Sequence, residues 1–73
     1  RHGPGALEAP MLGRVAAVNV SAGQRVAKGE GLLVVEALQM EIALRAPRDG
    51  VVRAVHVSAG DTVAPGRALV ELE

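Results

Sequence analysis

Short apolar runs alternate with turn-forming residues along the whole chain. The valine- and leucine-rich runs, each bounded by residues such as Gly, Pro, Ser or Asp, span residues 14–20, 32–36, 51–57 and 68–72. Apolar runs this short, with turn signals every ~8–12 residues, are typical of an all-β sandwich or barrel. The pattern therefore predicts an all-β fold.

The same pattern occurs twice. Residues 6–36 align with residues 43–73 without a gap, at an offset of 37, and 17 of the 31 aligned positions are identical. A repeat of this kind takes priority over any local pattern in deciding the fold. Each copy predicts four short strands, so we expect eight strands in two quasi-identical halves related by a pseudo-twofold axis. The predicted strands are residues 6–10, 14–20, 24–26 and 32–36 in the first half, then 40–45, 51–57, 61–63 and 68–72 in the second.

Two glycines recur in the turns of both copies. Gly23 matches Gly60, and Gly29 matches Gly66. Glycine is the residue that adopts positive φ without steric cost. We therefore expect left-handed backbone angles at these four positions.

The centre of the chain, residues 37–42, has no partner in the repeat. Helix formers dominate residues 36–44. However, the large apolar residues Met40, Ile42 and Leu44 alternate at period two with Glu41, Ala43 and Arg45, as in a half-buried strand. We therefore expect strand, tip and strand, with the tip at Leu38–Gln39. Neither residue favours the positive φ of a tight primed hairpin turn, so either the turn is of another type or it stores strain.

Composition narrows the possible functions. The chain has 73 residues, 49% of them hydrophobic, but no aromatic residue and no cysteine. We expect one small domain with a thin aliphatic core, preceded by a flexible Gly- and Pro-containing linker at residues 1–5 that suggests attachment behind an upstream domain. Eight basic and eight acidic residues cancel, and they form no runs. This favours neither nucleic-acid nor membrane binding, and no Ser/His/Asp or Cys/His set suggests catalysis.

The central residues 36–40 resemble a sequence motif of a known protein family. Glu36-Ala37-Leu38-Gln39-Met40 is similar to the E-A-M-K-M motif of the biotinyl (biotin carboxyl carrier) domain of biotin-dependent carboxylases. Residues 9–11, 46–47 and 60–63 also resemble that family, and the likeness covers residues 6–73. It implies a flattened eight-stranded sandwich with repeat halves 6–36 and 43–73, a hairpin tip at 37–42 and no thumb insertion.

The resemblance also implies a function. In this family a biotin ligase attaches biotin to one lysine at the hairpin tip, and the biotin carries CO2 between biotin carboxylase and carboxyltransferase sites. The domain itself is a non-catalytic carrier within an enzyme of the ligase class. The implied location is the cytoplasm, or the mitochondrial matrix in a eukaryote.

Gln39 stands where the acceptor lysine is expected, so the resemblance implies a carrier that cannot be biotinylated as written. Leu38 replaces the first Met of the motif, while Glu36, Ala37 and Met40 match it. The single lysine, Lys28, aligns with Pro65 in a turn and lacks the motif. We do not expect it to substitute for the acceptor.

The roles of three other residues can also be interpreted from the sequence. Met40 either contacts a ligase or biotin or packs on the inner face of its strand beside Ile42, and Met11 is expected to pack in a turn. His56 is expected at the surface rather than in a catalytic site.

A degenerate, non-biotinylated docking or assembly module is the alternative function. A lipoyl-type carrier domain is a further one, although lipoyl tips resemble D-K-A rather than L-Q-M.

Overall fold

The computed structural model describes residues 5–73. Eight strands account for its regular structure, and no other helix or strand occurs between residues 5 and 73. They are β1 (Ala6–Glu8), β2 (Gly13–Val18), β3 (Arg25–Val26), β4 (Gly31–Ala37), β5 (Met40–Arg45), β6 (Gly50–Val55), β7 (Thr62–Val63) and β8 (Ala68–Leu72). The linker predicted at residues 1–5 falls almost wholly on residues 1–4, outside the described residues.

The strands form two four-stranded antiparallel sheets. One has the order β1-β8-β6-β3 and the other the order β5-β4-β2-β7. Exchanging each strand for its equivalent in the other copy of the repeat converts the first order into the second. The predicted all-β sandwich with two four-stranded halves is confirmed.

Hydrogen bonds between turns and strands also occur in equivalent pairs. Gly23 N donates to Val52 O and Gly60 N to Val15 O, both at 2.7 Å. In the same way, Ala9 N donates to Arg67 O and Ala46 N to Glu30 O, both at 2.8 Å. Because each half bonds to the other, neither sheet is built from one copy alone.

The core lies between the two sheets and is purely aliphatic. Its fully buried members are leucines and valines: Leu32, Leu33, Leu69, Val15, Val35, Val52, Val63 and Val70. The described chain measures 30 × 24 × 17 Å. The smallest dimension is about that of two sheets packed ~10 Å apart with their outward side chains, as the absence of aromatic residues predicts.

The observed strands differ from the predicted ones mainly at their ends. β2 and β6 start one residue earlier than expected and stop two residues earlier, at Val18 and Val55. Both contain an irregularity in register, between Val15 and Ala17 and between Val52 and Ala54. A β-bulge increases local twist and interrupts regular pairing. Just past the two strand ends, single backbone hydrogen bonds run from Asn19 N to Leu32 O and from His56 N to Leu69 O, both at 2.9 Å.

The turn glycines behave as expected. Gly23, Gly29, Gly60 and Gly66 have φ angles of 89°, 87°, 98° and 87°. Any L side chain at these positions would be strained, which explains why glycine recurs in both copies.

No helix in residues 5–73 is long and apolar enough to cross a membrane.

Candidate functional site

The centre of the chain is a hairpin rather than a helix. β4 and β5 pair through Val35 with Ile42, Glu36 with Glu41 and Ala37 with Met40. Only Leu38 and Gln39 are left to connect the strands. The predicted strand, tip and strand are therefore confirmed, with the tip at the expected two residues.

The tip is strained. Leu38 has φ 52° and Gln39 φ 65°, and these are the only positive-φ residues other than glycine in residues 5–73. Both signs are those of a type I′ turn, which ordinarily selects Asn-Gly or Gly-Gly. Of the two possibilities left open by the sequence, strain is the correct one. Left-handed angles cost non-glycine residues about 1–2 kcal/mol each, and here the long β4–β5 ladder holds them in place.

The tip projects from the end of the sandwich. Leu38 is 88% exposed, Met40 is 63% exposed, and Gln39 is also exposed. Of the two alternatives left open for Met40, packing on the inner face of the strand is wrong. Met40 shares its strand face with Ile42 and Leu44, but unlike them it lies beyond the end of the buried core. Its thioether is left at the surface beside Gln39.

A second segment adds apolar surface at this end of the sheet. Arg14 in β2 is opposite Glu36 in β4, so the residues just before Arg14 lie level with the residues just after Glu36. Leu12 is 65% exposed, and Met11, predicted to pack in a turn, is 37% exposed. Together with Leu38 and Met40 they form what we call the tip patch.

Gly13 permits this close approach. A Cβ at Gly13 would lie 2.7 Å from Glu36 O and 3.3 Å from Ala37 Cβ. With contacts that short, a side chain at residue 13 would fit only if the backbone of β4 moved. Neither this role of Gly13 nor the exposure of Leu12 was predicted from the sequence. The feature that could have indicated both is their position at the start of a strand that pairs beside the central hairpin.

The outward face next to the tip is charged. Arg14 Nη2 lies 3.8 Å from Glu36 Oε1, and Glu41 is opposite Glu36 on the other side. All three side chains are exposed. A surface ion pair of this kind contributes at most about 1 kcal/mol. The row is an electrostatic feature of the surface rather than an acid–base site.

Lys28 lies at the opposite end of the sandwich. Its turn is bonded to the far end of β5, through Gly29 N to Ala46 O at 2.8 Å, and Lys28 N donates to Asp49 Oδ1 at 2.8 Å. Since β5 has six residues, this end is about 20 Å from the tip.

The remaining candidate, His56, lies at the surface. His56 is exposed, as predicted, and its Nε2 pairs with Glu71 Oε2 on the neighbouring strand β8. Within residues 5–73 no group of three or more His, Cys, Asp or Glu side chains could hold a metal ion. The distinctive feature of the described chain is its exposed, strained tip.

A family model described as "Biotin-requiring enzyme", covering biotin and lipoyl domains, matches residues 5–72. The chain belongs to this family. It is a biotinyl/lipoyl-type domain like those of biotin-dependent carboxylases, and the strained tip described above is the central hairpin of that domain.

Relatives of this biotinyl/lipoyl-type domain include parts of larger enzymes. Over 35 residues it is 54% identical to the methylmalonyl-CoA decarboxylase subunit gamma of Veillonella parvula, a match that covers 48% of this chain and 27% of that subunit. The chain thus matches only about a quarter of the length of this relative.

Solved structures give the same fold. The domain superposes with a TM-score of 0.84 and 33% identity on a single-chain, multi-domain long-chain acyl-CoA carboxylase, over 96% of this chain and 7% of that one. For the urea carboxylase of Kluyveromyces lactis the TM-score is 0.85 and the identity 25%, over 93% and 6% of the two chains. The lipoyl domain of the 2-oxoglutarate dehydrogenase complex from Azotobacter vinelandii superposes with a TM-score of 0.77 and 28% identity, over 97% and 90%.

Proposed function

We propose that this chain is the carrier domain of a biotin-dependent carboxylase in which Gln39 occupies the position of the biotin-accepting lysine. The observation that carries the proposal is the place of Gln39: it is exposed at the apex of the hairpin between the two halves, within a motif that matches the family at Glu36, Ala37 and Met40. Two paired strands present this residue to a partner more rigidly than a loop would.

The residues present do not fit a covalently attached biotin. Attachment requires a nucleophilic amine, whereas the carboxamide nitrogen of Gln39 is delocalised into its carbonyl and does not act as one. Lys28 does have a nucleophilic amine, but it lies in a turn about 20 Å from the tip. We therefore propose that the chain as written carries no biotin.

The partners follow from the family rather than from this chain alone. An unmodified carrier of this type would be presented to a biotin ligase and to the biotin carboxylase and carboxyltransferase sites of its parent enzyme. That parent would be a ligase-class enzyme of the cytoplasm or the mitochondrial matrix, and the domain would contribute no catalytic residue to it.

A docking or assembly module is the second candidate, and the tip patch is the observation that favours it. Met11, Leu12, Leu38 and Met40 remain exposed around a tip that lacks its acceptor. A surface with this composition suits contact with another protein. A lipoyl-type carrier is less well supported, because Leu38 and Met40 flank the acceptor position.

The decisive experiment restores the amine. The variant Gln39→Lys is incubated with a biotin ligase, biotin and ATP, and the product is measured by intact mass and peptide mapping. We expect one biotinyl group, on residue 39. The matched control Gln39→Arg has the same charge without an acylable amine and should gain no mass.

Two results would count against the proposal. A folded Gln39→Lys variant that takes up no biotin would favour the docking module. Biotin on Lys28 of the unmodified chain would contradict our interpretation of that turn.

A further inference from the structure

β5 is the one long strand at a sheet edge in the described part of the chain. The other edge strands are β1, with three residues, and β3 and β7, with two each. β5 has six residues, contains no proline, and has β4 on one side only. An open edge of this length is a template for pairing with another strand.

The backbone groups available at this edge can be identified. Ala37 and Met40 close a two-residue loop, so in an antiparallel ladder alternate residues from Met40 onward direct their N–H and C=O groups towards β4. Ala46 N, in the same phase, donates to Glu30 O at 2.8 Å. The residues between them, Glu41, Ala43 and Arg45, direct theirs outward. Within residues 5–73 no backbone hydrogen bond outside the strand ladders involves these three.

Side-chain charge makes this edge complementary to itself. Antiparallel pairing of two β5 strands centred on Ala43 places Glu41 of one copy opposite Arg45 of the other, twice by symmetry. Both side chains are exposed and form no ion pair with the described residues. Arg45 Nη1 donates to Gly29 O at 3.1 Å, which leaves other guanidinium donors free.

The same register would relieve an unfavourable contact within one copy. Glu41 is directly opposite Glu36, and like charges in that position are destabilising. Arg14 lies beside Glu36 but not beside Glu41. An arginine from a second copy would complete the row with a positive charge at each end.

From these observations we infer that β5 is a self-association surface, at which a second copy of this chain pairs antiparallel about Ala43. The contact is isologous, since Glu41 of each copy meets Arg45 of the other and only Ala43 meets its own symmetry mate. It joins two four-stranded sheets into one of eight strands and places the half-buried Ile42 opposite Leu44 of the other copy. The two tips end at opposite sides, about 27 Å apart along the strand direction, and stay exposed. The inference therefore does not depend on what Gln39 does.

A single strand pair buries less than the ~1,000 Å² of a stable interface, so a weak dimer is expected. Sedimentation equilibrium between about 10 µM and 1 mM should show a mass rising from 7.5 kDa towards twice that value. Raising the salt concentration should weaken association, because both ion pairs are exposed. A monomer throughout this range would overturn the inference.

Charge variants test the register. Glu41→Arg or Arg45→Glu converts two attractive pairs into two repulsive ones and should weaken the dimer about tenfold. The double variant E41R/R45E should restore it, since both pairs are again opposite in sign. Glu8→Arg, an exposed position on the equivalent edge strand β1, is the control and should change little. Failure of the double variant to restore association would exclude this register, and thermal unfolding of each variant confirms that it is folded.

A crosslink tests the geometry independently. Residues opposite each other in a hydrogen-bonded antiparallel pair have Cα atoms about 5.5 Å apart, within reach of a disulfide. The chain has no cysteine, so Ala43→Cys can crosslink only between copies. Under mild oxidation it should form a dimer much faster than Ala16→Cys, an exposed position on the interior strand β2. Equal rates for the two variants would contradict the inference and leave the edge to a different partner.

Discussion

Gly13 packs directly against Ala37, the last residue of β4: a Cβ at Gly13 would lie 3.3 Å from Ala37 Cβ. The same Cβ would lie 2.7 Å from Glu36 O and 2.8 Å from Val35 Cγ1. The start of β2 thus supports the base of the hairpin that presents Gln39. Only glycine allows the two backbones to come this close.

Gly13→Ala should therefore destabilise the domain by about 1–3 kcal/mol, because the added methyl group must displace backbone. The matched control is Gly50→Ala, the equivalent position in the other half. There the added Cβ would lie 2.7 Å from Nη1 of Arg48, with Glu73 O no closer than 4.0 Å. Because the end of a side chain rather than backbone must move, the cost should be smaller. Chemical denaturation measures both; equal costs would show that the contact at Gly13 is not rigid.

Strain at the tip predicts that the hairpin can be stabilised. Leu38→Asn should raise the free energy of unfolding by about 1 kcal/mol, because Asn accepts left-handed angles more readily than Leu. For a domain of this size the melting temperature would rise by about 4–8 °C. Leu38→Thr, which is β-branched, should lower it. Shifts of the same sign in both variants would mean that the backbone angles at residue 38 do not set the effect.

The recurring turn glycines should be equivalent in energy as well as in position. Gly23→Ala and Gly60→Ala should each cost about 1 kcal/mol, since both have positive φ and no neighbouring atom within 4 Å to explain a loss in any other way. Gly31→Ala is the control, because its φ is not positive and its repeat partner is already Ala68. It should be neutral or slightly stabilising. Thermal unfolding of the three variants tests the comparison.

Equivalent substitutions in the core of the two halves should also cost similar amounts of stability. Leu32 and Leu69 are repeat partners, and both are fully buried. Leu32→Ala and Leu69→Ala should each cost about 2–5 kcal/mol, a large part of the stability of a domain this small. Leu12→Ala, at the exposed tip patch, should change stability by less than about 0.5 kcal/mol. A large loss for Leu12→Ala would mean that the residue is packed rather than exposed.

The main features of the site could be predicted from the sequence because they depend on local pattern and repetition. The break in the repeat located the hairpin, and alternation from Met40 to Arg45 separated strand from helix. Exposure of Met40 could not be obtained in this way. Alternation predicts the face on which a side chain lies, but not whether the opposite sheet extends far enough to cover it.

The sequence by itself determined the two-half β architecture, the left-handed turn glycines and the identity of residue 39, because a 37-residue repeat restricts the fold and a side chain's chemistry does not depend on packing. The tertiary structure decided the rest. It set the strain at Leu38 and Gln39, the contact of Gly13 with Ala37, the distance of Lys28 from the tip and the open edge of β5. Each of these depends on where separate strands end relative to one another, and that is settled only when the two sheets pack.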